Sequence, residues 1–201
     1  MLLSGTNGSN NHQLSTPRGL AIHTQSGGLL VADSDNHRIM QYAPNSSSGT
    51  VVAGGNGPGT NRTQLFYPRG IFYDSSTMSI LIANSKANNI VRWKLGANNW
   101  TMVAGSPLGT PGNSSPLLDY PTGVVLDSMG NLYVSDEGNH RIQFFLNGEK
   151  NGTTIAGVSG MSGATERLFN KSASVAIDRH LNLYVADYLN DRVQKFFFNG
   201  Q

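Results

Sequence analysis

Asn131–Phe145, NLYVSDEGNHRIQFF, is the stretch from which the fold can be read. Apolar and aromatic residues fill both ends, and Asp136-Glu137-Gly138-Asn139-His140 supplies turn chemistry between them. The pattern predicts two short strands, Asn131–Ser135 and Arg141–Phe145, joined by a polar turn. Three other stretches repeat it: Gly28–Tyr42 (GLLVADSDNHRIMQY), Ser79–Trp93 (SILIANSKANNIVRW) and Asn182–Phe196 (NLYVADYLNDRVQKF). The residues expected to close the first strand of each copy are Asp33, Asn84, Asp136 and Asp187, spaced by 51, 52 and 51. A period that regular marks a repeat architecture.

Outward from this hairpin, each copy is preceded by an apolar run, Leu20–His23, Ile71–Asp74, Val124–Asp127 or Val175–Asp178, expected to be a strand covered on both faces. Pro17-Arg18-Gly19, Pro68-Arg69-Gly70 and Pro121-Thr122-Gly123 lead into the first three, where proline suits a strand start and glycine a close approach. The fourth copy has Ser172-Ala173-Ser174 there, which predicts a looser entry. Further strands are expected at Thr50–Ala53, Thr101–Ala104 and Thr153–Ala156. No segment combines helical periodicity with caps, so helices should be nearly absent. Four antiparallel strands per unit of roughly 50 residues describe the blade of an all-β propeller. The expected organisation is one domain over 1–201, with repeats near 14–63, 65–116, 118–167 and 168–201 and an outer strand in 1–5. Met1–Gly5 matches the Thr-Val-Val-Ala-Gly outer strand, and Leu2 and Leu3 beside Val193–Phe198 would complete the last blade. Such a ring has no open sheet edges. A partial arc of a larger propeller is the favoured alternative to a closed ring of four.

Bulk properties narrow the function. Only 13% of the 201 residues are charged, and a net charge of +2 does not by itself point to a nucleic acid or an anionic membrane. There is no cysteine, which removes disulfides and thiolate metal sites. No apolar run approaches the roughly 18 residues of a membrane helix, and Ser4-Gly5 follows Met1-Leu2-Leu3 too soon for a secretory signal.

A Pro-x-Gly entry, an apolar strand ending in Asp, then Asn-Leu-Tyr-Val-x-Asp and Asn-His-Arg-Ile resembles the NHL repeat family. Pro121–Phe145 and Pro17–Tyr42 carry the motif best; the second copy departs with Asn84 and Ala87-Asn88-Asn89, the fourth with Asp191 in place of His. The resemblance implies a β-propeller, usually of six blades, and a non-catalytic scaffold that binds a protein partner through its loop face. Alternatives within the resemblance are a channel-centred metal-dependent hydrolase or lyase, and single-stranded RNA binding through a basic face.

The residues favour the scaffold. Asp33, Asp136 and Asp187 recur at one position, as expected of turn-fixing hydrogen-bond acceptors. Arg38, Arg141 and Arg192 are expected to span to an Asp or a carbonyl of their own turn or the next blade. His37 and His140 share a position away from the axis, without a third histidine to complete a metal site. No nucleophile–base motif or phosphate loop is present, so neither catalytic residue nor cofactor is assigned. The candidate binding face is Arg18 and Arg69 with Tyr67 and Tyr120, joined by Phe66. For an enzyme, the candidate mouth would be His23, Asp74, Asp127 and Asp178 at the inner-strand ends. Sequons at Asn7, Asn45, Asn61, Asn99, Asn113, Asn151 and Asn170 are candidate N-glycosylation sites and lean toward an extracellular parent protein.

Overall fold

A computed structural model describes residues 5–197. The first blade comprises β1 (Pro17–His23), β2 (Gly28–Asp33), β3 (Arg38–Tyr42) and β4 (Gly49–Gly54). The second comprises β5 (Pro68–Asp74), β6 (Ser79–Asn84), β7 (Asn89–Lys94) and β8 (Thr101–Gly105). The third comprises β9 (Pro121–Leu126), β10 (Leu132–Asp136), β11 (Arg141–Phe145) and β12 (Thr153–Gly157). The fourth comprises β13 (Ser172–Ile177), β14 (Leu183–Asp187) and β15 (Arg192–Phe196), three strands among the described residues. Every sheet is an antiparallel meander in chain order, the β-propeller arrangement, and the described residues contain no α-helix. The expected completion of the last blade by Leu2 and Leu3 lies outside the described residues.

Between the second and third strands of every blade runs one 3₁₀ turn closed by a residue at positive φ: His37 (54°), Asn88 (51°), His140 (55°) and Asp191 (50°). Asn and Asp tolerate this left-handed region better than most side chains. The strands begin earlier than their apolar runs suggest, because Pro17, Pro68 and Pro121 already pair with the strand-end Asp or Asn across a bulge.

Three of the four apolar clusters join neighbouring blades, and the fourth, Val31, Met40 and Tyr42 with Leu14 and Leu29, belongs to the first blade alone. β1 packs on β5, β5 on β9 and β9 on β13, with no comparable packing of β13 on β1 among the described residues. Ala21, Leu30, Ala32 and Ile39 of the first blade meet Ile71, Tyr73, Ile80 and Ile82 of the second. Phe72, Leu81, Ala83 and Ile90 then meet Val124, Leu132 and Val134, and Tyr133 and Ile142 meet Val175 and Val185. Alternate residues of each strand thus serve opposite seams. The Pro-x-Gly glycines explain how closely the inner strands approach: a Cβ on Gly70 would lie 2.5 Å from the Thr122 carbonyl oxygen, and one on Gly123 3.0 Å from Val175 N.

One expectation needs correction for two of the four strands. β1 is not covered on both faces: Leu20 is 63% and Ile22 56% exposed, whereas Ile71 and Val124 at the position of Leu20 are 8% and 6% exposed. On the same face Val31 and Met40, across the ladder from Leu20, are nevertheless buried with Tyr42 against Leu14 and Leu29, so only the inner-strand edge of that face is open among the described residues. Nor is β13 covered on both faces: Val175 is buried but Ser174 and Ala176 are exposed.

Candidate functional site

The strand-end carboxylates organise the entry loops. Asp33 accepts from Ser15 N–H at 2.6 Å, Asp136 from Asp119 N–H at 2.7 Å and Asp187 from Asn170 N–H at 2.7 Å. The other oxygen of each takes an Asn side chain (Asn36, Asn139, Asn190, all 2.8 Å) and an arginine Nε (Arg38 2.7 Å, Arg141 and Arg192 2.8 Å). The guanidinium ends donate to loop carbonyls such as Ser9, Asn113 and Ala164. The second blade makes the same staple without charge: Asn84 accepts from Phe66 N–H at 2.6 Å and donates to Asn89 at 3.2 Å. Burial pushes the Asp136 carboxyl up to about 6 against the hydrogen bonds from Asn139, Asp119 N–H and Arg141. Around Asp187 burial also pulls upward, but Arg192 is more open to solvent than Arg141, and the hydrogen bonds win and lower it. These groups are scaffold, as their recurrence predicted.

The shared histidine position has a role that the sequence reading missed. His37 Nδ1 accepts from Tyr67 N–H at 3.1 Å, Asn88 Oδ1 from Tyr120 N–H at 2.8 Å, and His140 Nδ1 from Lys171 N–H at 3.1 Å. Each donor opens the next blade, so the position latches blade to blade. Beside it, Ser34 donates to the Pro68 carbonyl at 2.5 Å, and Ser85 to that of Pro121 at 2.6 Å. A signal was available: His, Asn, His and Asp all offer an acceptor.

At the opposite ends of the inner strands Asp74 and Asp127 line one cleft, but the four candidate mouth residues do not gather into one cluster of metal ligands among the described residues. Asp74 caps its own turn through Ser76 and Thr77 and pairs with Arg92 at 2.5 Å. Burial raises its carboxyl, but those hydrogen bonds outweigh it and hold the group well below the ordinary range. Asp127 accepts from Met129 N–H, Asn131 N–H and the Asn131 side chain. Asp178 does the same with His180 and Asn182, and these bonds, led by the Asn182 side chain, keep it at about 2. His23 shares a 2.6 Å hydrogen bond with Ser26 and sits 4.7 Å from the Tyr73 ring. A cleft of about 400 Å³ opens here between the second and third blades, but its carboxylates are committed to turns. Among the described residues no three His, Asp or Glu side chains gather as metal ligands.

The entry-loop candidates do come together. Arg69 pairs with Glu137 at 2.8 Å and lies 5.4 Å from the Tyr120 ring centroid. Burial pushes the Tyr120 hydroxyl up, Arg69 and Arg18 pull it down, and Tyr67 and Glu137 add to the rise. Lys86, unforeseen in the sequence, extends over Tyr67 (4.7 Å) and Phe66 (5.6 Å). Arg18 is exposed and has no ion-pair partner among the described residues. The third-blade equivalent, Thr122, is buried and donates to the Ser172 carbonyl at 3.2 Å.

The NHL repeat model matches residues 14–42 and 118–145, the two copies with the fullest Asp–Asn–Arg staple and a histidine latch. Those two segments are NHL repeats. Similar solved structures include a Bacteroides thetaiotaomicron structural-genomics protein of unknown function (TM-score 0.74, 16% identity, 91% of this chain and 47% of that one). A streptogramin B lyase (TM-score 0.66, 14% identity, 97% and 55%) and a chain of a nidogen/laminin complex (TM-score 0.68, 18% identity, 91% and 61%) are also similar. At these identities the likeness establishes the propeller fold of the chain, which spans about half the length of those structures. No curated protein matches its sequence.

Six sequon asparagines, Asn7, Asn45, Asn61, Asn99, Asn113 and Asn151, are exposed in turns and loops. Asn170 is half-buried, with its N–H on Asp187 and its carbonyl accepting from Leu189 N–H. No helix among the described residues is long and apolar enough to cross a membrane.

Proposed function

We propose that this chain is a non-catalytic interaction module that binds a protein partner presenting an acidic segment. The docking surface is the entry-loop face around Arg18, Lys86, Tyr67 and Tyr120. The observation that carries the reading is the division of labour between the two faces. The inner-strand carboxylates are engaged by their own turns, whereas the entry face holds Arg18, without an ion-pair partner among the described residues, and a lysine beside half-exposed aromatic rings. Rigid aromatic surface next to cations suits a carboxylate-bearing peptide. Rigid strands presenting variable loops are also a common basis for binding without chemistry.

The test is affinity capture from extracts of cells that make the protein, with the wild-type chain and an Arg18→Ala/Tyr67→Ala/Tyr120→Ala variant. A partner captured by wild type and by a Met129→Ala control at the other end, and lost by the triple variant, is the expected result. Equal capture by all three overturns the proposal, as does tight, salt-sensitive binding of single-stranded RNA to the same face.

A further inference from the structure

Arg92 does its structural work with a single nitrogen. In the third and fourth blades Asp127 and Asp178 are tied by neutral side chains, Asn131 and Asn182 at 2.8 Å and the hydroxyls of Tyr133 and Tyr184 at 3.4 and 3.2 Å. Ser79 and Leu81 stand at those two positions in the second blade. Arg92 Nη1 takes over there, donating to Asp74 at 2.5 Å and to Thr77 and Ser79 at 2.7 Å. Its Nε and Nη2 have no hydrogen-bond partner among the described residues. These two nitrogens carry the parallel pair of N–H bonds with which a guanidinium grips two oxygens of one oxyanion. The three anchors on Nη1 hold that pair in place before any ligand arrives. Arg38, Arg141 and Arg192 differ, because each spends Nε on its strand-end Asp and its terminal nitrogens on loop groups.

The surroundings of Arg92 suit an anion. Arg92 and Lys94 alternate along β7 and so share one face of the sheet. Both line an open cleft of about 610 Å³ beside the turn between β5 and β6, and no Asp or Glu is among its lining residues. Lys94 is exposed and has no ion-pair partner among the described residues. Of the carboxylates nearby, Asp74 is paired with Arg92, and Asp127, in the adjoining cleft, gives its oxygens to its own turn. The fold does not demand two cations here: the first blade has Gln41 and Ala43 at these positions, and the third has Phe144 and Leu146.

We infer that this cleft binds a phosphate or sulfate monoester of a small sugar. The Nε and Nη2 of Arg92 donate to two oxygens of the ester, and Lys94 balances the remaining charge. The cleft is larger than an isolated oxyanion needs, and Ser76 and Asn99 on its walls offer hydroxyl and amide groups to the polar body of the ligand. The site lies within the second blade and is separate from the entry-loop face.

Nuclear magnetic resonance titration of the isotope-labelled chain tests this, at low ionic strength because exposed charges are screened by salt. The chain is made without glycans, since the sequon residue Asn99 lines the cleft. Glucose 6-phosphate or glucose 6-sulfate should move the Nε–H signal of Arg92 and saturate with a dissociation constant of about 1 mM or below. Tighter binding of the phosphate identifies a free sugar phosphate as the occupant, and tighter binding of the sulfate identifies a sulfated glycan. Arg92→Lys keeps a cation for Asp74 but removes the paired donors, and should weaken binding about tenfold or more. Lys94→Ala changes an exposed residue to the one found at Ala43, so it should stay folded by circular dichroism and bind about threefold or more weakly. Arg167→Ala, at an exposed arginine elsewhere on the surface, should bind like wild type. No saturation by about 20 mM overturns the inference. So does equal affinity for glucose or glucuronate, or binding that is unchanged in Arg92→Lys or Lys94→Ala.

Discussion

Blade-to-blade latching through histidine makes the stability of the arc depend on pH in a way that asparagine would not. The Nδ1 of His37 and of His140 must be unprotonated to accept the Tyr67 and Lys171 N–H groups, which puts the proton of the neutral ring on Nε2. Burial lowers the pKa of both rings. For His37, Asp35 and Asp33 pull upward and Lys86 downward; for His140, Lys171 pulls downward and Glu137, Asp119 and Asp187 upward. The folded chain therefore holds fewer protons at these sites than the unfolded chain, whose imidazoles titrate near about 6.5. Stability from the latches is fully present above that value and is lost as pH falls through it toward the lowered folded pKa.

The magnitude follows from two hydrogen bonds of about 1 kcal/mol net each, hence about 2 kcal/mol between pH 7.5 and 5.5. Asp136 acts with the opposite sign, since a raised carboxyl pKa disfavours folding as pH rises. It is common to both proteins in a comparison of wild type with His37→Asn/His140→Asn, so its effect cancels. Asn88 already performs the latch at 2.8 Å in the same left-handed conformation, which makes asparagine the isofunctional replacement. Urea unfolding at the two pH values should show the double variant equal to wild type within about 0.5 kcal/mol at pH 7.5 and more stable by about 2 kcal/mol at pH 5.5. His37→Ala/His140→Ala should lose about 2 kcal/mol or more at pH 7.5. Identical pH dependence in wild type and the Asn variant, or an Ala variant as stable as wild type, would refute the latch.

Arg141→Ala leaves Asp136 buried without its cation and should cost about 3–5 kcal/mol in denaturant unfolding. Asp136→Asn/Arg141→Asn copies the neutral Asn84–Asn89 staple and should recover most of that loss. Gly70→Ala drives a methyl group against the Thr122 carbonyl and should cost about 1–3 kcal/mol, whereas Ser174→Ala should change stability by less than about 0.5 kcal/mol. The Tyr42 hydroxyl is buried without a hydrogen-bond partner among the described residues, so Tyr42→Phe should hold or raise the melting temperature, by up to about 1 kcal/mol in stability. When the chain is directed through a secretory pathway, mass spectrometry should find glycans among the six exposed sequons and none at Asn170, whose backbone is tied to Asp187 and Leu189.

The blades were legible because their information is local. Apolar strands of five or six residues, an Asp at the strand end and a Gly- or Asn-bearing turn repeat with nearly constant spacing, and each is sufficient for its own hairpin. The limits shifted by a residue, as with Leu132–Asp136 for the expected Asn131–Ser135, because the strand-end Asp still pairs with Arg141 across the ladder. Burial of a strand was not legible in the same way. Leu20 and Val124 are interchangeable in hydrophobicity, yet one is exposed and the other covered, because the cover belongs to a different repeat. The latch escaped for the same reason: it joins a side chain of one repeat to a backbone group of the next.

Comparison of the copies shows that a set of hydrogen bonds is kept while the residues making them change. In the second blade Asp, Asn and Arg become Asn84, Ala87 and Asn89 together, and the entry loop still finds its acceptor at 2.6 Å. A lone change to Asn84 would have stranded an arginine, and a lone change to Asn89 would have stranded a buried carboxylate. In the third blade Glu137 replaces the seam serine of the first two, and the hydroxyl is supplied from two residues earlier by Ser135, 2.6 Å from the Ser172 carbonyl. That relocation frees Glu137 to hold Arg69 beside Tyr120. The seam carbonyl keeps two hydroxyl donors, Ser135 at 2.6 Å and Thr122 at 3.2 Å, without any contribution from position 137. Substituting Ser135 by Ala should therefore weaken the seam between the third and fourth blades and leave the Arg69–Glu137 pair intact, whereas Glu137→Ser should do the reverse.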